Sequence, residues 1–263
     1  MKKNPLYKQI PNFITALNLT AGALSAVLAF EDRIIEAVIG VFICAVLDFF
    51  DGFAARILKA KSELGKNLDS LSDLISFGMA PSAILYKIQT AAVINLQDRS
   101  FILEESSVLY RILVYLPFLI TLFSAIRLAR FNTEQEEAHG FTGFSVTPNA
   151  IMISAASAWI LTHGDNVIAR HFMNPYIIGG WVILISFLLV SRLRMFSLKV
   201  KNLRFKENLP QYIFVFLTII LITVFRLAGI ALSIVTYIII CLLMNLIPVP
   251  ESDASDTESS TKK

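Results

Sequence analysis

Long apolar runs separated by short polar stretches dominate the pattern of residues along this chain. A run of about 20 apolar residues forms a helix long enough to cross the hydrocarbon core of a bilayer. The pattern predicts a helix over each of eight runs, at 12–30, 34–58, 68–90, 108–130, 146–163, 175–193, 211–228 and 230–247. Only residues 226–229 separate the last two runs, which therefore also fit one broken helix.

Composition supports an all-α fold, a polytopic transmembrane helical bundle. Of the 263 residues, 56% are hydrophobic and 16% are charged, whereas soluble domains carry about 25% charged residues. The Ser- and acid-rich stretch 251–263 has too few apolar residues to bury a core, and we expect it to be disordered. The net charge of +3 is spread between the apolar runs, so we expect no nucleic-acid partner.

The distribution of lysine and arginine between the runs predicts the orientation of the bundle, because cytoplasmic loops are enriched in both residues. Basic residues concentrate at the N-terminus, in the connection at 59–66 and in the connection at 194–206. All three segments fall on the same side of an eight-helix bundle. We therefore expect an integral protein of the cytoplasmic membrane with both termini inside.

Four aspartates near the connection at 59–66 are the strongest chemical signal in the sequence. Carboxylates at the end of an apolar helix are costly unless they are paired or coordinated. Asp48 and Asp51 are three residues apart and Asp69 and Asp73 four apart, so each pair shares a helix face. Two antiparallel helices can bring both pairs together as an oxygen-rich site for Mg²⁺ or Mn²⁺. No His or Cys accompanies them, which argues against zinc.

Two glycines and an arginine lie among these aspartates. Gly52 and Gly65 lack side chains at positions where a ligand can approach a helix closely. Arg56 can hold a phosphate or merely offset the carboxylates. A charged helix end with ordinary ion pairs would explain one aspartate pair, but it does not explain the whole set.

The segment from Asp48 to Asp73 reads D-x2-D-G-x2-A-R-x8-G-x3-D-x3-D, and it resembles the signature of the CDP-alcohol phosphatidyltransferases. The resemblance implies that Asp48, Asp51 and Asp69 are metal ligands and that Asp73 is both a ligand and the general base. It also implies a catalytic core of six helices within residues 1–195, an added helix pair within 196–250, and the tail 251–263.

The resemblance further implies which residues contact the CDP-lipid. They are Asn12, Thr15, Gly52, Arg56, Ser62 and Gly65. Asn12 and Thr15 belong to the segment 11–15, which is similar to a nucleotide-binding segment of these enzymes. The alternative is that this segment only caps and begins the first helix. A homodimer is also implied by the family.

Further segments resemble the membrane-embedded phosphatidylserine synthases: 75–81, 127–132, 141–143 and 147–150, together with 11–22. Arg127 and Arg130 are three residues apart, and guanidinium groups suit a carboxylate or a phosphate. They can equally flank a membrane span as topology signals, and Asn132 can bind the acceptor or cap the helix. Phe144 and Ser145 depart from the Leu-Pro that these enzymes often carry there.

The resemblance to the synthases implies transfer of a phosphatidyl group from CDP-diacylglycerol to L-serine, giving phosphatidylserine and CMP. Asp73 would take the proton from the serine hydroxyl. The same chemistry with glycerol-3-phosphate, inositol phosphate or choline is an alternative. A cation-coupled transporter is a more distant one, although no internal repeat is evident and the aspartates lie next to a basic loop.

Overall fold

A computed structural model describes residues 9–60, 62–99, 108–133, 143–193, 195 and 209–246. Within these ranges the regular structure is helical and contains no strand. The α-helices are α1 (Ile10–Phe30), α2 (Ile34–Ile57), α3 (Glu63–Asp73), α4 (Ala80–Arg99), α5 (Val108–Tyr115), α6 (Phe118–Thr133), α7 (Val146–Thr162), α8 (Val167–Phe172), α9 (Pro175–Val190), α10 (Leu209–Phe225) and α11 (Leu227–Leu246), with a π-helical segment at Leu74–Met79 between α3 and α4. The predicted tail 251–263 and most of the basic stretch 194–206 lie outside the described residues.

A helix covers each of the eight predicted runs, and the all-α prediction is confirmed. The third helical stretch begins earlier than predicted, because the Ser62 hydroxyl accepts a hydrogen bond from the Gly65 amide (3.0 Å) and caps α3. The fourth run is bent by 45° between α5 and α6, where Pro117 has no amide proton to donate. The short helix α8 was not predicted.

Length and apolarity make two or three of the described helices candidates to span a membrane. Among the described residues, Ile10–Phe30 and Leu227–Asn245 are each long and apolar enough to cross a bilayer, and the bent pair α5–α6 is a third candidate if it crosses as one span. Val146–Thr162, Pro175–Val190 and Gln211–Phe225 are apolar but shorter. Large apolar side chains such as Phe13, Leu24 and Phe187 remain exposed on the surface, as expected for contact with lipid.

Helices α1 and α2 form an antiparallel pair joined by a tight turn, in which Asp32 adopts a positive φ of 64°. The Lys87 ammonium of α4 reaches this turn, 2.6 Å from Asp32 Oδ1 and 3.3 Å from the Phe30 carbonyl oxygen. These contacts hold α4 against the turn between α1 and α2. The end of α2 that carries Asp48 and Asp51 lies at the opposite end of the bundle.

Close packing of α1 against the π-helical segment sets the position of α3. An ideal Cβ on Gly22 would lie 2.6 Å from Ser76 Cα, so only glycine permits this approach. The Ser76 hydroxyl donates to the Asn18 carbonyl oxygen (3.0 Å). Asp73 directly precedes the π-helical segment, so the same contacts fix where the aspartates of α3 lie along α2.

The last two helices fold back on each other at Arg226, where φ is 51°. The rings of Phe214 and Tyr237 lie 5.5 Å apart, which a continuous helix would place about 35 Å apart at 1.5 Å per residue. The alternative of one broken helix is therefore wrong. Helix α11 packs on α7, and α10 packs on α11, so this pair extends the bundle at the side of α7.

Candidate active site

Three of the four motif aspartates converge. Ligand oxygens of Asp48, Asp51 and Asp69 lie within 4.8 Å of one another, and Asp51 is only 5% exposed. Without a cation, three such charges repel one another and lose their hydration. The donor set contains only carboxylate oxygens, which is the chemistry preferred by hard divalent ions. We call these three residues the aspartate cluster, and they fit a divalent metal.

Asp73 lies one turn beyond Asp69 on α3 and outside the group of three. Its carboxyl group interacts electrostatically with Asp48 and with the positive charge of Arg127. Its Oδ1 atom is buried and has no hydrogen-bond partner among the described residues. A buried oxygen without a partner marks a place where a ligand or a proton donor fits.

A cavity of about 530 Å³ opens beside the aspartate cluster, where the starts of α1 and α3 meet the end of α2. This volume falls within the range of small-molecule sites. It is lined by Pro11, Asn12, Thr15, Asp51, Gly52, Ala55, Ala60, Ser62, Glu63, Gly65, Lys66 and Asp69. Of the predicted CDP-lipid contacts, all but Arg56 line this cavity.

The two motif glycines have different surroundings. A Cβ on Gly52 would meet no atom within 4 Å, so the backbone of α2 is open to the cavity there. A Cβ on Gly65 would lie 2.9 Å from Asn12 Oδ1 and 3.1 Å from Ser62 Oγ. Gly65 thus permits α3 to start close to α1, whereas Gly52 leaves room for a ligand.

Among the described residues that line the cavity, the cation is Lys66, for which no role was predicted from the sequence. Its ammonium lies 3.4 Å from the Asn132 carbonyl oxygen of α6. Arg56 is exposed, and its Nε donates to the Gly52 carbonyl oxygen of the preceding turn (3.0 Å). A signal for Lys66 exists in the sequence, because it precedes Asp69 by three residues and so shares its helix face.

The candidate acceptor residues point to different partners. Arg127 is half-buried near Asp73, and its Nε has no hydrogen-bond partner among the described residues. Arg130 is exposed and donates to the Val190 carbonyl oxygen at the end of α9 (3.3 Å). The Asn132 amide donates to the Ser70 hydroxyl of α3 (2.8 Å). Arg127 thus interacts electrostatically with Asp73, whereas Arg130 and Asn132 make contacts between helices.

A cluster of carboxylate oxygens beside a cavity, at one end of an apolar helical bundle, is the arrangement of an integral membrane protein that can hold a divalent metal. The model of the CDP-alcohol phosphatidyltransferase family matches residues 8–247. The chain belongs to this family of enzymes, and the predicted resemblance is confirmed.

Relatives in bacteria and archaea share much of the chain. A CDP-diacylglycerol–serine O-phosphatidyltransferase of Helicobacter pylori strain J99 is 30% identical over 244 residues, which cover 91% of each chain. The enzyme of that name from Bacillus subtilis is 33% identical over 185 residues, 70% of this chain and 88% of its own. An archaetidylserine synthase of Methanothermobacter thermautotrophicus is 29% identical over 157 residues, 59% of this chain and 60% of its own.

Proposed function

We propose that this enzyme transfers the phosphatidyl group of CDP-diacylglycerol to L-serine, forming phosphatidylserine and releasing CMP. The observation that carries the choice of acceptor is that the bacterial and archaeal relatives differ in the lipid that their names indicate but share serine. The aspartate cluster and its cavity supply the setting for the transfer, since the cavity can accept a nucleotide diphosphate next to the metal centre.

Mg²⁺ or Mn²⁺ is the proposed metal, held by Asp48, Asp51 and Asp69, with Asp73 as a further ligand. A bound divalent ion supplies positive charge for the phosphate oxygens and for the departing CMP. The residues fit this role because their oxygens lie within 4.8 Å of one another and, among the described residues, no nitrogen or sulfur ligand joins them in the group. Asp51 and Asp69 also line the cavity in which the diphosphate would lie.

The donor nucleotide would occupy the cavity, whose lining includes Asn12, Thr15, Gly52, Ser62 and Gly65. Arg56 lies on the exposed side of α2, from which it would meet the charged headgroup only at the rim. The acyl chains of the donor would remain in the bilayer. The basic residues that flank this end of the bundle support a position at the cytoplasmic face.

Asp73 is the proposed general base, which would take the proton from the serine hydroxyl as that oxygen attacks the lipid-side phosphorus. Arg127 is the proposed partner of the serine carboxylate, because its guanidinium is half-buried and its charge acts on the Asp73 carboxylate. Arg130 and Asn132 would support the end of α6 through Val190 and Ser70. Their effect on serine binding would then be indirect.

We also propose a homodimer, in keeping with the family. The mass of the purified protein in detergent, measured by light scattering with the detergent contribution subtracted, tests this. A value near twice 29.3 kDa is expected, and a monomer mass at all concentrations would contradict it.

An alcohol panel tests the proposed function. The purified enzyme is incubated with CDP-diacylglycerol and with L-serine, glycerol-3-phosphate, inositol phosphate or choline, and CMP release is followed. Of the four alcohols, we expect only L-serine to cause release of CMP from CDP-diacylglycerol. Release with glycerol-3-phosphate or inositol phosphate but not with serine would reassign the acceptor, because Arg127 suits an anionic phosphate equally well. Cation flux in liposomes without CMP release would instead favour a transporter.

A further inference from the structure

Thr15 of α1 contacts a metal-ligand side chain directly. Its hydroxyl oxygen lies 2.8 Å from Asp51 Oδ2, and both residues are buried, with exposures of 4% and 5%. The two residues are 36 positions apart in the chain, so the contact depends on the packing of α1 against α2. A hydrogen bond to a charged group in a buried setting is among the stronger interactions available to a hydroxyl.

The direction of this hydrogen bond follows from the available protons. The Thr15 hydroxyl also lies 3.0 Å from the Pro11 carbonyl oxygen, so two acceptors compete for one proton. In helix α1 that carbonyl already accepts the Thr15 backbone amide, four residues on. A metal-binding carboxylate of Asp51 has no proton to donate and requires a donor. The hydroxyl therefore donates to Asp51 Oδ2, which leaves Oδ1 available for an ion.

Thr15 also reaches the second helix that carries aspartates. Its backbone carbonyl oxygen accepts a hydrogen bond from the Ser72 hydroxyl of α3 (3.2 Å), next to Asp73. One residue of α1 thus joins α2 through its side chain and α3 through its main chain. The relative position of the two aspartate-bearing helices is fixed at this point.

We infer that Thr15 is a positioning residue of the metal centre, which orients the Asp51 carboxylate through its hydroxyl. This inference rests on the metal site of the proposed function, and it changes the predicted role of Thr15 from a CDP-lipid contact to a support of a metal ligand. Groups that orient metal ligands typically change metal affinity by about 10–100-fold when they are removed. Metal affinity is therefore the property to measure.

The test compares Thr15→Val with Thr15→Ser in the full-length purified protein, using Mn²⁺ alone as the probe. Valine keeps the shape of threonine and removes the donor, whereas serine keeps the hydroxyl. Thr20→Val is a matched control on the same helix, because the exposed Thr20 hydroxyl bonds only to the Ala16 carbonyl oxygen (2.8 Å). Free Mn²⁺ is quantified by electron paramagnetic resonance during a titration without any substrate.

We expect Thr15→Val to weaken Mn²⁺ binding by about 10–100-fold, with Thr15→Ser near the wild type and Thr20→Val unchanged. Turnover of Thr15→Val should return towards the wild-type kcat as Mn²⁺ is raised. Wild-type Mn²⁺ affinity in Thr15→Val, or a raised KM for CDP-diacylglycerol with unchanged metal dependence, would overturn the inference and restore the role of lipid contact.

Two measurements keep the outcome clear. If Thr15→Val does not fold, as judged by circular dichroism, Thr15→Ala removes the same donor in a smaller side chain, and its Mn²⁺ titration decides. Because Mn²⁺ binding is measured without serine or CDP-diacylglycerol, the effect of Thr15 stands even if the alcohol panel assigns another acceptor. Failure of the wild type to bind Mn²⁺ would contradict both the metal site and the inference.

Discussion

Gly52 is a position where one added methyl group should raise the stability of the protein and lower its activity. It lies within α2 next to Asp51, and a Cβ built there meets no atom within 4 Å. Replacing glycine by alanine inside a helix stabilises it by about 0.5–1 kcal/mol. No steric clash offsets that gain, so we expect Gly52→Ala to raise the Tm by roughly 1–4 °C for a chain of this size.

The same methyl group projects from a residue that lines the cavity beside the aspartate cluster. A diphosphate that approaches the backbone of α2 at Gly52 would be held away by about one carbon atom. Misplacing a reacting group by about 1 Å can cost roughly 100-fold in rate. We therefore expect kcat/KM for CDP-diacylglycerol to fall by about 10–100-fold, while Mn²⁺ binding is unchanged.

Thermal unfolding and CMP release measured on the same preparations test this expectation. Gly180→Ala in α9 is the matched control, since Gly180 is exposed, is not among the residues that line the cavity and also has no atom within 4 Å of its Cβ. It should raise the Tm and leave turnover unchanged. Wild-type kcat/KM in Gly52→Ala, or a loss of activity that accompanies a lower Tm, would contradict the close approach of the diphosphate to Gly52.

Three further predictions concern the cavity and the metal. Asp73→Asn should abolish CMP release while isothermal titration still detects CDP-diacylglycerol binding, and normal turnover would remove Asp73 from the role of base. EDTA should stop the reaction and Mn²⁺ or Mg²⁺ restore it, whereas full activity after exhaustive chelation would contradict the metal requirement. Lys66→Ala should raise the KM for the donor more than Arg56→Ala in initial-rate assays, because Lys66 lines the cavity and Arg56 does not; the reverse order would count against this assignment.

The helices over the apolar runs were predictable because about 20 consecutive apolar residues form a helix long enough to cross a bilayer. The helices that were not predicted depend on local interactions, such as hydrogen bonds that cap a helix. The polar first turns of α3 carry no apolar run and are specified by the Ser62 cap. Helix α8 has only six residues and is capped by Asn166, whose side chain accepts a hydrogen bond from the Ile168 amide (2.8 Å). The pattern of apolar residues does not predict the π-helical segment.

The aspartate cluster was predictable from spacing, because residues three or four apart share a helix face. Contacts between helices could not be predicted from spacing, because they depend on how the helices are rotated against one another. The spacing of Arg127 and Arg130 suggested a common site, yet one guanidinium lies near Asp73 and the other at Val190. Likewise, the bond from Thr15 to Asp51 required the packing of α1 on α2.

The proposed activity requires that three carboxylates from neighbouring helices bind shared divalent ions beside the nucleotide cavity. Anomalous diffraction from crystals of the full chain grown with Mn²⁺ and CDP-diacylglycerol tests this most directly. We predict a manganese peak within roughly 2.5 Å of oxygens from Asp48, Asp51 and Asp69, facing the donor diphosphate. A donor bound in the cavity with no manganese at these carboxylates, or manganese bound elsewhere, would contradict the account.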